Sequence, residues 1–251
     1  MASDDHRPGA GIAEVILRMQ HRLDGLPREL AHRRIFLGTY LRTTQAVRAA
    51  VKGARFEDPD WVDAWDVAFA ELYLNALDGD LAGAAVPRPW RLAFDAPVDL
   101  PPLAHVLLGI NAHVNYDLPQ ALLAVISDDD FADPVLMERR RRDHERIDGV
   151  LASRVGAEDD RLSAASAKGL LDKILTPLNR LSSRRFLRES RQKVWHNTGE
   201  LQRARVIGPQ AYAVRLAELE LLSAAKVADL LRPGQVLLRL AVAGFGVTLP
   251  P

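Results

Sequence analysis

The chain has 251 residues, 48% of them hydrophobic, which is enough for one domain with a substantial core. Its 33 basic and 33 acidic residues balance, which argues against nucleic acid and anionic membrane surfaces as partners. No Cys is present, which excludes disulfides and thiolate chemistry and is typical of a cytoplasmic protein. The sequence has neither an apolar signal-peptide core nor an uncharged run of about 18 apolar residues, so we expect no membrane contact.

Apolar residues recur at helical spacing along most of the chain, so we predict an all-α fold. The expected architecture is a single compact domain at residues 11–251, after a disordered N-terminus at residues 1–10. It should contain roughly eight or nine helices around a buried central helix. In the first part of the chain, helices are predicted near residues 12–23, 29–51 and 61–76.

Residues 79–102 contain five prolines and are predicted to form a long surface loop. Trp90 and Phe94 should pack this loop against the core. A loop of this length without secondary structure is uncommon, and it often serves as a lid or pocket wall.

The central helix is predicted within residues 103–122, which are apolar on nearly every side. Four polar residues interrupt it: Asn111, His113, Asn115 and Asp117. A buried polar group without a partner costs about 1–3 kcal/mol, so these side chains need each other, neighbouring helices, a metal or a ligand. Pro119 disfavours helical geometry at the preceding residue, so we also expect a kink or break near Asp117.

Beyond the central helix, the acidic residues 127–133 are predicted to form a turn. Further helices are expected at residues 134–155, 160–181, 184–206 and 209–231. Residues 235–247 are short and apolar, so their periodicity leaves helix and strand both open.

Three His residues are followed by an acid four positions later, which places both side chains on one helix face. The pairs are His113/Asp117, His144/Asp148 and His196/Glu200. Such a pair can share a metal or hold a general base in orientation. The second pair lies in an Arg-rich stretch that we interpret as a solvated helix, and the third lies beside Gly199, where fraying predicts a surface position. The first pair is either a core network or a ligand or catalytic site.

We assign candidate catalytic roles to His113, Asp117, Asp66 and Tyr73. Asp66 and Tyr73 lie on an inward strip of the 61–76 helix, where Asp can orient an imidazole and Tyr brings a hydroxyl to an apolar site. Candidate ligand-binding residues are Asn111, Asn115 and Tyr40. If a divalent metal is the cofactor, His113 and Asp117 are its candidate ligands. Ordinary packing with hydrogen bonds is the alternative for each residue.

Residues 129–133 match the DDxxD pattern with which all-α terpene synthases hold Mg²⁺ and diphosphate. Pro134 follows at once, so these acids fit better as the N-terminus of a helix, where the macrodipole stabilises them. The sequence lacks a phosphate loop, GxSxG, HExxH and a dinucleotide fingerprint, so no nucleotide cofactor is expected.

Several stretches together carry a family resemblance. They are Thr39-Tyr40 with Thr44-Gln45-Ala46-Val47, Phe56-Glu57-Asp58-Pro59, Trp65-Asp66-Val67-Ala68-Phe69-Ala70 with Leu72-Tyr73, Pro89-Trp90 with Phe94, and Gly109-Ile110-Asn111-Ala112-His113-Val114-Asn115-Tyr116-Asp117-Leu118. Over about residues 12–200 the chain resembles DUF5995, an actinobacterial family of unknown function. The resemblance implies no activity. Its pattern includes all four candidate catalytic residues and leaves out His144 and His196.

Two functions stay open at this point. The first is a small-molecule enzyme that uses general acid–base or metal-assisted chemistry beside His113 on a small hydrophobic substrate. Because Arg greatly outnumbers Lys and Ala is abundant, we expect a GC-rich bacterial source and a place in specialised metabolism. The second is a non-catalytic ligand-binding or interaction module in which the same residues form a core network. A pocket that reaches His113 favours the first, and a dry, fully paired cluster favours the second.

Overall fold

Helices make up most of the computed structural model, which describes residues 9–165, 177–232, 244 and 246–251. They are α1 Ala10–Gly25, α2 Ala31–Lys52, α3 Pro59–Leu81, α4 Arg88–Phe94, α5 Pro102–Ala112, α6 Leu118–Val125, α7 Asp128–Ala132, α8 Pro134–Ala165, α9 Pro177–Ile207 and α10 Pro209–Leu231. A 3₁₀ turn, Arg28–Leu30, precedes α2, and a π-helical segment, His113–Asp117, joins α5 and α6 into one rod. Within these ranges the chain forms ten α-helices and no strand, which confirms the predicted all-α class.

Local sequence signals explain where several helices begin. The Asp58 carboxylate accepts a hydrogen bond from the Trp61 backbone N–H at 3.2 Å, and Pro59 occupies the first turn, where its missing N–H is not needed. Ser127 and Asp130 form a reciprocal capping box at the start of α7. Each of these helix starts is fixed by side chains within a few positions of it, so the sequence alone is enough to predict it.

Of the kink or break expected near Asp117, the break is wrong, because the rod continues through Pro119. Asp117 keeps helical backbone angles, φ −78° and ψ −39°. The Leu118 N–H bonds the His113 carbonyl five residues earlier. This π-helical widening absorbs the proline without ending the helix, and such segments are frequent at functional sites.

The predicted long loop at residues 79–102 is also wrong. Helix α3 continues to Leu81, and α4 forms inside the stretch with Pro89 in its first turn. The proline-rich composition that indicated a loop is compatible with helix starts, since proline is tolerated there. The predicted acidic turn at residues 127–133 is likewise wrong over its middle part, which forms α7.

The predicted helix at residues 160–181 is not a separate element. Helix α8 extends to Ala165, and α9 begins at Pro177. Residues 166–176 lie outside the described ranges. Two further predictions concern residues that lie mostly outside the described ranges. They are the disorder at residues 1–10 and the choice between helix and strand at residues 235–247.

Two apolar cores meet at the α5–α6 rod, as the prediction of a buried central helix requires. The first core includes Leu37, Tyr73, Trp90 and, from α5, Leu108 and Ala112. The second includes Val62, Trp65 and, from α6, Leu118 and Leu122. Helices α2, α3, α4, α9 and α10 all pack against the rod. None of the described helices is both long and apolar enough to cross a membrane.

Candidate functional site

The π-helical segment brings the side chains of His113 and Asp117 together at the junction of the two cores. His113 Nδ1 lies 2.8 Å from Asp117 Oδ2, and the same oxygen accepts the indole N–H of Trp90 at 2.8 Å. His113 is 3% exposed and Asp117 is 2% exposed, so both are removed from solvent. The structure therefore joins two predicted residues to a third, Trp90, that was expected only to anchor a loop.

Five aromatic rings enclose the imidazole of His113. The Phe69 ring stacks on it with centroids 3.5 Å apart and planes 5° apart, and the Tyr40 ring meets it edge-on at 4.5 Å. The rings of Phe36, Tyr73 and Trp90 complete the enclosure, with centroids no more than 6.1 Å away. Of the predicted site residues, Tyr40 and Tyr73 therefore contact His113 directly.

Sequence reasoning missed Phe36 and Phe69, although a signal for them exists. Phe36 and Tyr40 are four residues apart on α2, and Phe69 and Tyr73 are four apart on α3. This spacing places both aromatic pairs on single helix faces, which can face one another. Gly109 on α5 is required for the enclosure, because a Cβ atom there would collide with the Phe36 ring.

The second nitrogen of the imidazole is the unusual atom of the site. His113 Nε2 is buried and has no hydrogen-bond partner in the part of the chain that the structure describes. Buried polar atoms are rarely left unpaired, and exceptions call for an explanation such as catalysis or an unseen ligand. The His113–Asp117 cluster is thus buried but not fully paired.

Burial sets the protonation of the pair. It lowers the pKa of His113 well below its ordinary value, and it raises the pKa of Asp117 well above its ordinary value against the opposing hydrogen bond from Trp90. Both directions favour a pair without net charge. In that state one proton lies in the Nδ1–Oδ2 hydrogen bond and a second lies on Nε2, so Nε2 is an N–H donor.

Asp66, also a predicted site residue, is buried on the face of α3 that carries Phe69 and Tyr73. Burial first, and the charge of Asp63 second, raise its pKa to about 7, and its Oδ2 has no partner within the described ranges. Burial followed by the charges of Asp66 and Asp117 raises the pKa of Tyr40. These couplings place Asp66 in the electrostatic surroundings of the enclosure.

Asn111 and Asn115, predicted to bind a ligand, are bonded elsewhere. Asn115 Nδ2 donates to Asn111 Oδ1 at 3.2 Å, and Asn111 Nδ2 donates to the Leu107 carbonyl at 2.8 Å. Asn115 Oδ1 also accepts the Val247 backbone N–H at 3.3 Å. Asn115 thus connects the central rod to the C-terminal segment, whereas the bonds of Asn111 lie within the rod. The predicted binding role of both residues stays a prediction.

The interpretation of His144 as part of a solvated face is wrong. His144 is 1% exposed, and its ring centroid lies 5.3 Å from that of Trp65 and 5.5 Å from that of Trp195. Burial, with a smaller contribution from Arg191, lowers its pKa well below the ordinary value. The side chain of Asp148 lies outside what the structure describes.

The third pair lies on a helix that does not fray at Gly199, since α9 continues to Ile207. His196 is partly exposed, as predicted, and its Nε2 lies 3.1 Å from the Leu249 carbonyl. Glu200 is buried, where it pairs with Arg203 and with Arg215 Nη2, the latter at 2.6 Å.

A metal centre at His113 and Asp117 finds little support in the donor set. No group of three or more His, Asp or Glu side chains that could hold a metal ion occurs among the described residues. Asp117 Oδ2 is already bonded to His113 Nδ1 and to the Trp90 indole N–H, and His113 Nε2 has no partner among the described residues. The DDxxD stretch is committed to capping, since Asp133 Oδ1 accepts two backbone N–H groups of α8 and Asp130 pairs with Arg140.

The fold and the site define an all-α protein with a buried His–Asp pair inside an aromatic enclosure. A family model described as "Family of unknown function (DUF5995)" matches residues 12–233, and the chain belongs to this family. No curated protein and no solved structure is detectably similar to the chain.

Proposed function

We propose that the protein is a small-molecule enzyme in which His113 is the general acid–base and Asp117 positions it. The observation that carries the proposal is the asymmetry of the imidazole. Its Nδ1 is held by Asp117 at 2.8 Å, while its Nε2 is buried and unpaired within the described ranges. General acid–base catalysis needs a ring fixed in orientation with one nitrogen left for substrate.

The number of protons that His113 and Asp117 hold together supports this role. The uncharged pair carries a proton on Nε2, which His113 donates to a basic atom of the substrate. The pair then holds a single proton between Nδ1 and Oδ2, with the negative charge stabilised by the Trp90 indole N–H. In that form Nε2 has a free lone pair and takes a proton back, so the pair serves as acid and base in turn.

The surroundings favour a small hydrophobic substrate. The aromatic rings around His113 present apolar faces, and the half-buried Phe69 lies directly on the imidazole. We assign Tyr40 and Tyr73 to the walls of the site, and Asp66, whose pKa is raised to about 7 by burial, to a second proton-exchanging role.

The test combines a substrate screen with one matched pair of variants. Small hydrophobic esters, epoxides and ketones are incubated with the protein in D₂O and followed by NMR for turnover and for exchange of carbon-bound protons. We expect His113→Gln to lower the rate by roughly 10²–10⁴-fold, the usual contribution of a general acid–base. His21→Gln, at an exposed position on α1, should leave it unchanged. Equal rates in wild type and His113→Gln, or no reaction with any class, would overturn the proposal.

A non-catalytic ligand-binding module is the second candidate, and one observation favours it. The small cavity beside the enclosure is lined by Phe36, Tyr73 and Trp90 but not by His113. Compounds that raise the melting temperature without being converted would support this alternative. A large stability loss in His113→Gln together with no binding of any compound would instead support a structural network.

The cellular setting is part of the same proposal. A chain without Cys fits the reducing cytoplasm, and the sequence composition fits specialised metabolism in an actinobacterium. Fractionation of the native host, with detection of the protein by antibody, tests the location.

A further inference from the structure

A small cavity of about 20 Å³ lies beside the aromatic enclosure, and neither His113 nor Asp117 lines it. Phe36, Tyr73 and Trp90 line it and also contact His113. The polar part of its wall consists of His32 and Arg33 from α2 and His105 from α5. The volume is enough for one water molecule or for one or two oxygen-sized atoms of a ligand.

Three nitrogens of this wall are buried without a hydrogen-bond partner in the described part of the chain. They are His32 Nδ1, Arg33 Nε and His105 Nε2. His105 is only 5% exposed, and His32 and His105 lie with ring centroids 5.4 Å apart. Buried polar atoms are nearly always paired, so three unpaired nitrogens around one cavity indicate a polar occupant.

The remaining nitrogen of each ring already has a partner. His32 Nε2 lies 3.3 Å from the Phe94 carbonyl, and His105 is hydrogen-bonded to the backbone of Val98. A carbonyl accepts, so these nitrogens carry protons, and protonation at the free nitrogens turns both rings into cations with N–H groups at the cavity. Arg33 Nε–H is a donor in every state.

The one permanently charged group of the cavity wall is the Arg33 guanidinium. The wall contains no carboxylate, and Tyr73 from α3 is its one further titratable member; α4 contributes Trp90, Ala93 and Phe94. Asp80 lies behind the wall, where it pairs with Arg33. A metal ion is disfavoured by the guanidinium, whereas an anion satisfies all three nitrogens.

We propose that the cavity binds a small monoanion, held by Arg33 Nε and by His32 and His105. The shared chemistry is that of a carboxylate or of an inorganic halide. In a cavity of about 20 Å³ the carboxylate is one no larger than formate. Anion binding takes up a proton at each of the two His rings, because only a protonated imidazole nitrogen donates to an anion.

Titration calorimetry and NMR of the full chain test the proposal with sodium benzoate, formate and chloride. The experiment is set at about pH 5, because burial and the neighbouring His32 lower the pKa of His105 below the ordinary His value of about 6.5. We expect saturable binding with a shift of the Trp90 indole signal, weakened about tenfold or more in His105→Gln and in Arg33→Lys. His21→Gln should bind like wild type. Formate binding tighter than chloride identifies a carboxylate site, and equal binding of the two identifies a general anion site. Benzoate should bind more weakly than either, because it is larger than the cavity.

No saturable binding up to millimolar concentrations, or unchanged binding in a folded His105→Gln variant, overturns the proposal. Arg33→Lys keeps the positive charge but removes the Nε–H donor. If His105→Gln fails to fold, anion binding to Arg33→Lys tests the proposal in its place. Formate binding in His113→Gln separates this proposal from the enzyme proposal. Retained binding with no His113-dependent turnover sinks only the enzyme, and turnover without anion binding sinks only the anion site.

Discussion

His113 and Asp117 share a hydrogen bond of 2.8 Å inside the π-helical segment, four residues apart on one rod. The same carboxylate oxygen also accepts from Trp90, which α4 supplies from outside the rod. One buried oxygen thus fixes both the imidazole and the helix that packs over it. The stability of the fold and the proposed chemistry of His113 therefore depend on the same side chain.

Asp117→Ala should lower the free energy of unfolding by about 3–5 kcal/mol, because it leaves two buried groups, His113 Nδ1 and Trp90 Nε1, without their partner. Urea unfolding measures this. Asp24→Ala, at an exposed position near the end of α1, should change stability by no more than about 0.5 kcal/mol. A loss below about 1 kcal/mol in Asp117→Ala would show that the pair contributes little to the fold.

Asp66→Asn should change how stability depends on pH. Burial raises the pKa of Asp66 to about 7, so between roughly pH 4 and pH 7 the folded protein holds a proton that the unfolded chain has released. Stability therefore falls as pH rises through this window, by roughly 4 kcal/mol in all, and stays low above it. The Asn variant lacks this decline, so it should become the more stable protein above pH 7.

Unfolding by urea at a series of pH values tests the Asp66 prediction. The other buried groups titrate in both proteins, so the informative quantity is the difference between the two curves. Asp24→Asn should run parallel to wild type. Parallel curves for Asp66→Asn as well would contradict the raised pKa.

Gly109→Ala should destabilise the protein by about 1–3 kcal/mol, because its methyl group collides with the Phe36 ring in a packed core. Gly149→Ala is the matched control on α8, where nothing lies within 4 Å of the added atom. That change should stabilise by roughly 0.5–1 kcal/mol through helix propensity. Thermal unfolding of the two variants should therefore shift in opposite directions, and a common direction would refute the steric explanation.

Asn197→Ala should loosen the C-terminal segment. Asn197 Nδ2 donates to the Val247 carbonyl at 3.0 Å, and the Leu249 N–H donates to its Oδ1 at 2.9 Å. Because Leu249 is fully buried, loss of both bonds should cost about 1–3 kcal/mol and speed hydrogen exchange at the Leu249 amide. Gln192→Ala, on an exposed part of α9, should leave that exchange rate unchanged. If both variants exchange alike, Asn197 does not hold the segment.

The sequence by itself determined the helical class, the buried central helix and the His113–Asp117 contact. These features depend on residues within one or two turns of each other, so spacing and side-chain chemistry were sufficient. The break predicted at Asp117 was incorrect, but the reason also lies in the neighbouring residues. A π-helical turn can accommodate a proline, just as the end of a helix can.

Only the tertiary structure decided which side chains surround that contact and which nitrogens stay unpaired. Trp90 and Phe69 reach His113 from other helices, and no spacing within one segment encodes such a meeting. His144 shows the same limit: its Arg-rich neighbours gave α8 a solvated pattern, yet Arg142 and Arg146 pair with Glu57 while His144 faces Trp65. Burial is a property of how helices pack together, and a single helix's pattern specifies only the direction in which each side chain leaves it.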